Sequence, residues 1–227
     1  MSLFKAKDSD AIHAFVGSLS KQEFKNILVE YVQKNPPSPQ VDTFAAMSML
    51  ATLYYAHGAG TNDACAQWVE DVQDQSYPVE WRSVILGHPP FETDDLTHGE
   101  VTLFTNALKS IALSAAEPSE LRRVALLGLQ HAMSLTNYAD MLQESISSGD
   151  EDPCFRREAL LQMSRIVYRG RLKSEQSPEF NKVANDYESL LSDMGSRTNL
   201  PPALDESVKL LKRQKKPGKS KGDARSH

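Results

Sequence analysis

Two cysteines in 227 residues, Cys65 and Cys154, are too few and too far apart for a disulfide framework, and neither belongs to a CxxC pair or a Cys/His metal spacing. Both are expected to be reduced and buried. Aromatic residues make up only 7% of the chain, and no Asn-Gly or Asp-Gly pair separates alternating apolar runs, which argues against a fold of paired strands. The longest apolar stretch, Phe44 to Ala56, is well short of the ~18 residues that a membrane span requires. Met1 to Lys7 carries Lys5 and Lys7 but no apolar segment, so no secretory signal is visible. A soluble, intracellular, cytoplasmic chain without a transmembrane segment is expected, although a virion component or a nuclear protein would read the same way.

What is present points to helices. Ala, Leu, Ser, Glu and Gln are plentiful, 40% of the residues are apolar, and 25.2 kDa suffices for one substantial core or a short array of stacked units. The chain reads as all-α, with a single helical domain over 1–200 and a basic helix end and flexible tail over 201–227. Charge is uneven. From Lys209 onward there are eight Lys or Arg and one acid, Asp223; subtracting that +7 from the overall −5 leaves −12 for the rest.

Helix signals recur along the chain. Asp8 to Gly17 places Ile12, Phe15 and Val16 on one side, and Ser20-Lys21-Gln22-Glu23 is a capping-box pattern ahead of Phe24, Ile27, Leu28, Tyr31 and Val32. Asn35-Pro36-Pro37 ends that helix, and Ser38-Pro39 begins one that is apolar nearly all round to about His57. His57 to Asp63 can be read as a glycine-rich anion loop, but it lacks a GK[ST] ending and a preceding strand. A helix stop before an inward Cys65, Trp68, Val69 and Val72 is preferred. His88 to Gly99 is a proline-rich connection; its two histidines with Glu92, Asp94 and Asp95 are too irregularly spaced for a metal site. A long helix follows from Val101 to about Ala116. Ser177-Pro178 starts another that Gly195 stops, and Leu204, Val208 and Leu211 form a last stripe.

One phrase is written twice, 34 residues apart: Leu121-Arg122-Arg123-Val124-Ala125-Leu126-Leu127 and Phe155-Arg156-Arg157-Glu158-Ala159-Leu160-Leu161, each just after a proline, Pro118 or Pro153. Leu121, Val124, Ala125, Leu127 and Leu129 are expected to face inward, with Arg122 and Arg123 pointing sideways. Tyr77 to Leu86 shares the grammar, a proline, a large apolar residue, an arginine and an aliphatic pair, 40 residues before the next unit. Asn137 to Ser147 reads as a partner helix, and Asp152-Pro153 as the start of the second copy. The proline-started pattern resembles the second helix of HEAT-type repeats over Tyr77 to Gly170. That resemblance implies antiparallel helix pairs stacked into an α-solenoid whose faces bind other proteins or nucleic acid. Either a compact helical bundle or a short HEAT-like α-solenoid, with a disordered basic C-terminal tail, fits these patterns.

No GxSxG elbow, HExxH helix, Walker loop or dinucleotide fingerprint occurs. No catalytic residue, cofactor or metal ligand is therefore expected, and the chain reads as non-catalytic. Two functions remain. In one, a helical scaffold, adaptor or structural-assembly protein binds another protein, including a second copy of itself, through Arg122, Arg123, Arg156, Arg157, Arg165, Arg169 and Arg171. The competing role for these arginines is intrahelical pairing with Glu120, Glu151 and Glu158. In the other, a nucleocapsid-like or matrix-like protein or a regulator uses Lys209, Lys212, Arg213, Lys215, Lys216, Lys219, Lys221 and Arg225 to contact RNA, DNA or an anionic membrane surface.

Overall fold

The computed structural model describes residues 9–34, 43–58, 64–91 and 93–214. The stop and start signals at Asn35 to Pro39, residues 59–63 of the glycine-rich loop, Glu92, and the tail cations Lys215, Lys216, Lys219, Lys221 and Arg225 lie outside these. Among the described residues the chain is all-α and has no strand. The helices are α1 Ser9–Gly17, α2 Lys21–Lys34, α3 Thr43–Gly58, α4 Ala64–Gln73, α5 Val79–Gly87, α6 His98–Leu113, α7 Ser119–Ala132, α8 Leu135–Ser147, α9 Pro153–Leu172, α10 Pro178–Met194 and α11 Pro202–Gln214. A 3-10 turn, Thr93–Asp95, sits between α5 and α6.

Short-range chemistry sets the helix starts. Ser20 and Glu23 form the expected reciprocal cap of α2, with Ser20 N–H donating to Glu23 Oε2 at 2.9 Å and Glu23 N–H to Ser20 Oγ at 3.3 Å. Asp152 and Ser177 accept from Phe155 N–H and Phe180 N–H, and Pro153 and Pro178 occupy the first helical positions, where a missing N–H costs nothing. Helix α6 starts three residues earlier than the apolar pattern suggests. Thr97 and Glu100 make a second capping box, Thr97 N–H to Glu100 Oε2 at 2.8 Å, ahead of the first apolar residue.

The chain divides into two compact units, one ending at Met133 and the other beginning at Ser134. In the first unit, α4 and α5 form one antiparallel hairpin and α6 and α7 another. Like helices stack: α4 on α6, and α1, α3, α5 and α7 in succession. Helix α2 joins them through Phe24, whose ring stacks on Tyr54 at 4.3 Å and meets Trp81 edge-on at 5.2 Å. In the second unit, α8 and α9 form a hairpin, α10 packs on α8, and α11 packs on α9. Within each unit the helices thus pack as stacked pairs in an all-α compact fold.

In each unit one helix turns a polar face outward. The outer side of α10 presents Asn181, Lys182, Asn185, Ser189 and Ser192, all exposed, while Phe180, Val183, Tyr187, Leu190, Leu191 and Met194 face inward. In the first unit, α2 exposes Lys21, Gln22, Asn26, Glu30 and Lys34. A buried polar cluster ties α2, α3 and α4. Asp71, fully buried, accepts from Tyr55 Oη at 3.0 Å and Gln67 Nε2 at 2.9 Å, and pairs with Lys21 Nζ at 2.9 Å.

The inward face of α7 differs from the expected one. Leu126 is fully buried and Leu127 is 37% exposed. Arg122 takes an inward place, and the buried set becomes Leu121, Arg122, Ala125, Leu126 and Leu129, the i, i+3, i+4, i+7 pattern counted from the arginine itself. A pattern that assigns arginine to the outside places that face one residue off. Cys65 is buried as expected, but Cys154 is exposed, because it lies in the first turn of α9.

Candidate interaction surfaces

Three hairpins share one device. Arg82, Arg122 and Arg156 are only 2%, 3% and 6% exposed. Their Nε atoms donate to the carbonyls of Val72 at 2.7 Å, Ala112 at 3.0 Å and Ile146 at 2.9 Å. Each acceptor lies ten residues upstream, at the penultimate position of α4, α6 or α8. The last carbonyls of a helix have no intrahelical donor and carry the negative end of its dipole, so a guanidinium from the returning helix satisfies both. The turns spanned, 74–78, 114–118 and 148–152, have equal length. The residue before each arginine (Trp81, Leu121, Phe155) and those three and four after it (Ile85 and Leu86, Ala125 and Leu126, Ala159 and Leu160) are all buried.

These contacts correct the expectation that Arg122 points sideways. Arg122 and Arg156 are both internal braces of their hairpins. The remaining arginines are at the surface. Arg123 is exposed on α7; Arg157 is exposed and its Nε donates to Ser207 Oγ at 3.1 Å. On α9, Arg165 stands 3.5 Å from Glu158, Arg171 pairs with Glu188 at 2.7 Å, and Arg169 is exposed. Lys209 pairs with Asp205 at 2.6 Å, Lys212 is half-buried, and Arg213 is exposed at the end of α11.

The exposed side of α9 also carries large apolar groups that the sequence reading missed. Tyr168 is 65% exposed and Leu172 is 68% exposed. Arg165, Tyr168, Arg169 and Leu172 follow i, i+3, i+4, i+7 and therefore share one face. Leu210, 53% exposed, lies on α11, which packs on α9. The sequence signal was available as a second apolar stripe on a helix whose first stripe already supplies its core contacts.

Two cavities bear on chemistry. One of about 730 Å³ lies in the first unit among Ser48, Tyr55, Cys65, His88, Phe91 and Glu100. Its reactive-looking groups are occupied: Tyr55 donates to Asp71, Glu100 caps α6, and burial followed by the nearby Glu100 pushes the Cys65 thiol up, so a thiolate is not favoured there. The second, of about 560 Å³, lies in the second unit against Arg156 and Arg197. Among the described residues no group of three or more His, Cys, Asp or Glu side chains could hold a metal ion, and no helix is long and apolar enough to cross a membrane. No protein-family model, curated protein or solved structure matches the chain.

Proposed function

We propose that this chain is a non-catalytic helical interaction protein, a scaffold or adaptor that binds another protein through the exposed face of α9. The observation that carries the reading is the Arg165, Tyr168, Arg169 and Leu172 stripe. A largely exposed tyrosine between two arginines matches the composition of energetic centres in protein interfaces, where aromatic and arginine side chains dominate, and Leu172 adds exposed apolar area beside it. The fitting partner presents apolar residues flanked by carboxylates. A second copy of the chain meets that description in part, since the residues ahead of Lys209 carry a net −12, obtained by removing the +7 of the C-terminal segment from −5.

The test uses the full chain and a partner identified by crosslinking in its native cell. Tyr168→Ser with Leu172→Ser, and separately Arg165→Glu with Arg169→Glu, should each release that partner with unchanged circular dichroism. Deletion from Lys212 onward should retain it. Retention in both double variants would refute the reading, and sedimentation of the purified protein reports whether the partner is a second copy.

A second reading has the basic segment contacting nucleic acid. Exposed Arg213 in the last turn of α11 leads directly into Lys215 and Lys216. Binding of this kind would weaken with salt at a log–log slope of about −0.9 per phosphate on duplex DNA and disappear with the same deletion.

A further inference from the structure

The repeated arginines differ in what their outer nitrogens meet. Arg82 Nη1 and Nη2 donate to Glu117 Oε2 at 2.9 Å and Oε1 at 2.7 Å, a bidentate pair buried on both sides. Glu117 stands one residue before Pro118, the N-cap of the next hairpin's second helix. The same register holds Glu151 before Asp152, the N-cap of α9. In the turn between α10 and α11 the corresponding N-terminal carbonyl is that of Pro201, which accepts from Leu204 and Asp205 at 3.0 and 2.9 Å. The residue before it is Leu200. Where Arg82 receives a carboxylate from the following turn, the register offers Arg156 an isobutyl group.

Arg156 is correspondingly unfulfilled. It is more than nine-tenths buried, Nε is held by Ile146, and Nη1 and Nη2 have no hydrogen-bond partner among the described residues. The side chain lines the cavity of about 560 Å³, together with Ser147, Ser196, Arg197 and Leu200. Arg197 brings a second positive charge, and its Nη2 also holds Asp193 at 2.6 Å. Burial, and after it the charge on Arg197, lower the pKa of Arg156, while Glu151 opposes them more weakly. A guanidinium whose stem is buried beside another cation, and whose outer nitrogens open onto a cavity, is stabilised by an arriving anion.

We infer that this cavity is a carboxylate-binding site, in which an acidic side chain presented by a peptide segment pairs with Arg156 Nη1 and Nη2 as Glu117 pairs with Arg82. The molecule itself supplies the template for the ligand, a planar two-oxygen acceptor. Arg197 adds charge at the rim, and the Ser147 hydroxyl supplies a further donor at the cavity wall. The site is separate from the α9 stripe and does not depend on it.

The experiment titrates full-length protein by calorimetry with four probes: the capped hexapeptide Ser-Ala-Ala-Glu-Pro-Ser, copied from residues 114–119, its Glu-to-Gln twin, glutarate and inorganic phosphate. The glutamate peptide should bind saturably and the glutamine twin about tenfold more weakly, as the loss of one charge-assisted pair requires. Arg156→Lys should weaken the peptide by a similar factor, since an ammonium cannot meet both oxygens. Leu200→Glu restores the missing carboxylate within the chain. It should abolish peptide binding and raise the unfolding midpoint by about 2–4 °C. Glutarate matching the peptide would support the site and make a free dicarboxylate its source. Phosphate preferred over every carboxylate, no binding by any probe, or Leu200→Glu leaving binding intact or lowering the midpoint would each overturn the inference.

Discussion

Replacing Arg82 by methionine removes three hydrogen bonds at once and leaves the Glu117 carboxylate, whose side chain is 7% exposed, without its cation. Breaking one side of a buried pair costs about 3–5 kcal/mol, most of it the penalty of an uncompensated charge. Glu117→Gln keeps the shape and strands the arginine instead, with a cost of about 3 kcal/mol on the same basis. The double variant strands neither charge. It should therefore be less destabilised than the sum of the singles by about 2 kcal/mol, a coupling typical of directly paired groups. Arg82→Lys preserves charge but cannot serve Val72 and both oxygens of Glu117 together, and should lose about 2 kcal/mol. The assay is urea unfolding at pH 7, followed by tryptophan fluorescence, because Trp81 adjoins Arg82 in the same buried helix. The pH matters: the Arg82 hydrogen bond holds the Glu117 carboxyl below its ordinary value despite burial, so the pair stabilises the fold above that ordinary value and loses its effect as pH falls through the folded one. Additive single-variant costs, or an Arg82→Lys protein as stable as the parent, would refute the brace.

Ala125→Leu and Ala159→Leu insert volume at fully buried positions equivalent in their two hairpins, and each should lower stability by about 1–3 kcal/mol in chemical unfolding. Gly170→Ala would gain about 1 kcal/mol of helix propensity elsewhere, but here a Cβ would stand 2.0 Å from Phe180 Cε2, and that ring is buried, so net destabilisation in thermal melts is expected. Asp74 is held at about 2 by its bond from Lys25, then by Ser76. Because the folded value is depressed, its contribution is complete above ~4 and fades as pH falls toward 2. Asp74→Asn should flatten that part of the stability–pH profile relative to the parent.

How much of this was legible in the sequence depends on which signals are local. Caps at Ser20, Asp152 and Ser177 involve residues within three positions and were readable, as was the Leu204, Val208 and Leu211 stripe. The paired Arg-Arg phrase marked the repeat correctly. Its chemistry was not readable, because whether an arginine points in or out depends on a carbonyl ten residues away on another helix. Hydrophobic patterning scores arginine as surface, so Arg122 and Arg156 were misplaced and Leu127 was exchanged for Leu126. The carboxylate partner of Arg82 lies 35 residues off and carries no local mark. The site at Arg156 is harder still: it is defined by what Leu200 is not, and only alignment of the hairpins by their hydrogen bonds shows the substitution.

The polar outer side of α10 limits how long an object of this design can become. A further hairpin laid against Asn181, Lys182, Asn185, Ser189 and Ser192 would have to desolvate amides, hydroxyls and a lysine already shared between Asp140 and Asp186, with no apolar area gained in return. Duplication of the α8–α9 unit beyond this point would thus be unproductive, whereas insertion ahead of α10 would meet an apolar face ready to receive it. An engineer lengthening the protein, or a gene acquiring an extra copy, has a permissive seam before residue 178.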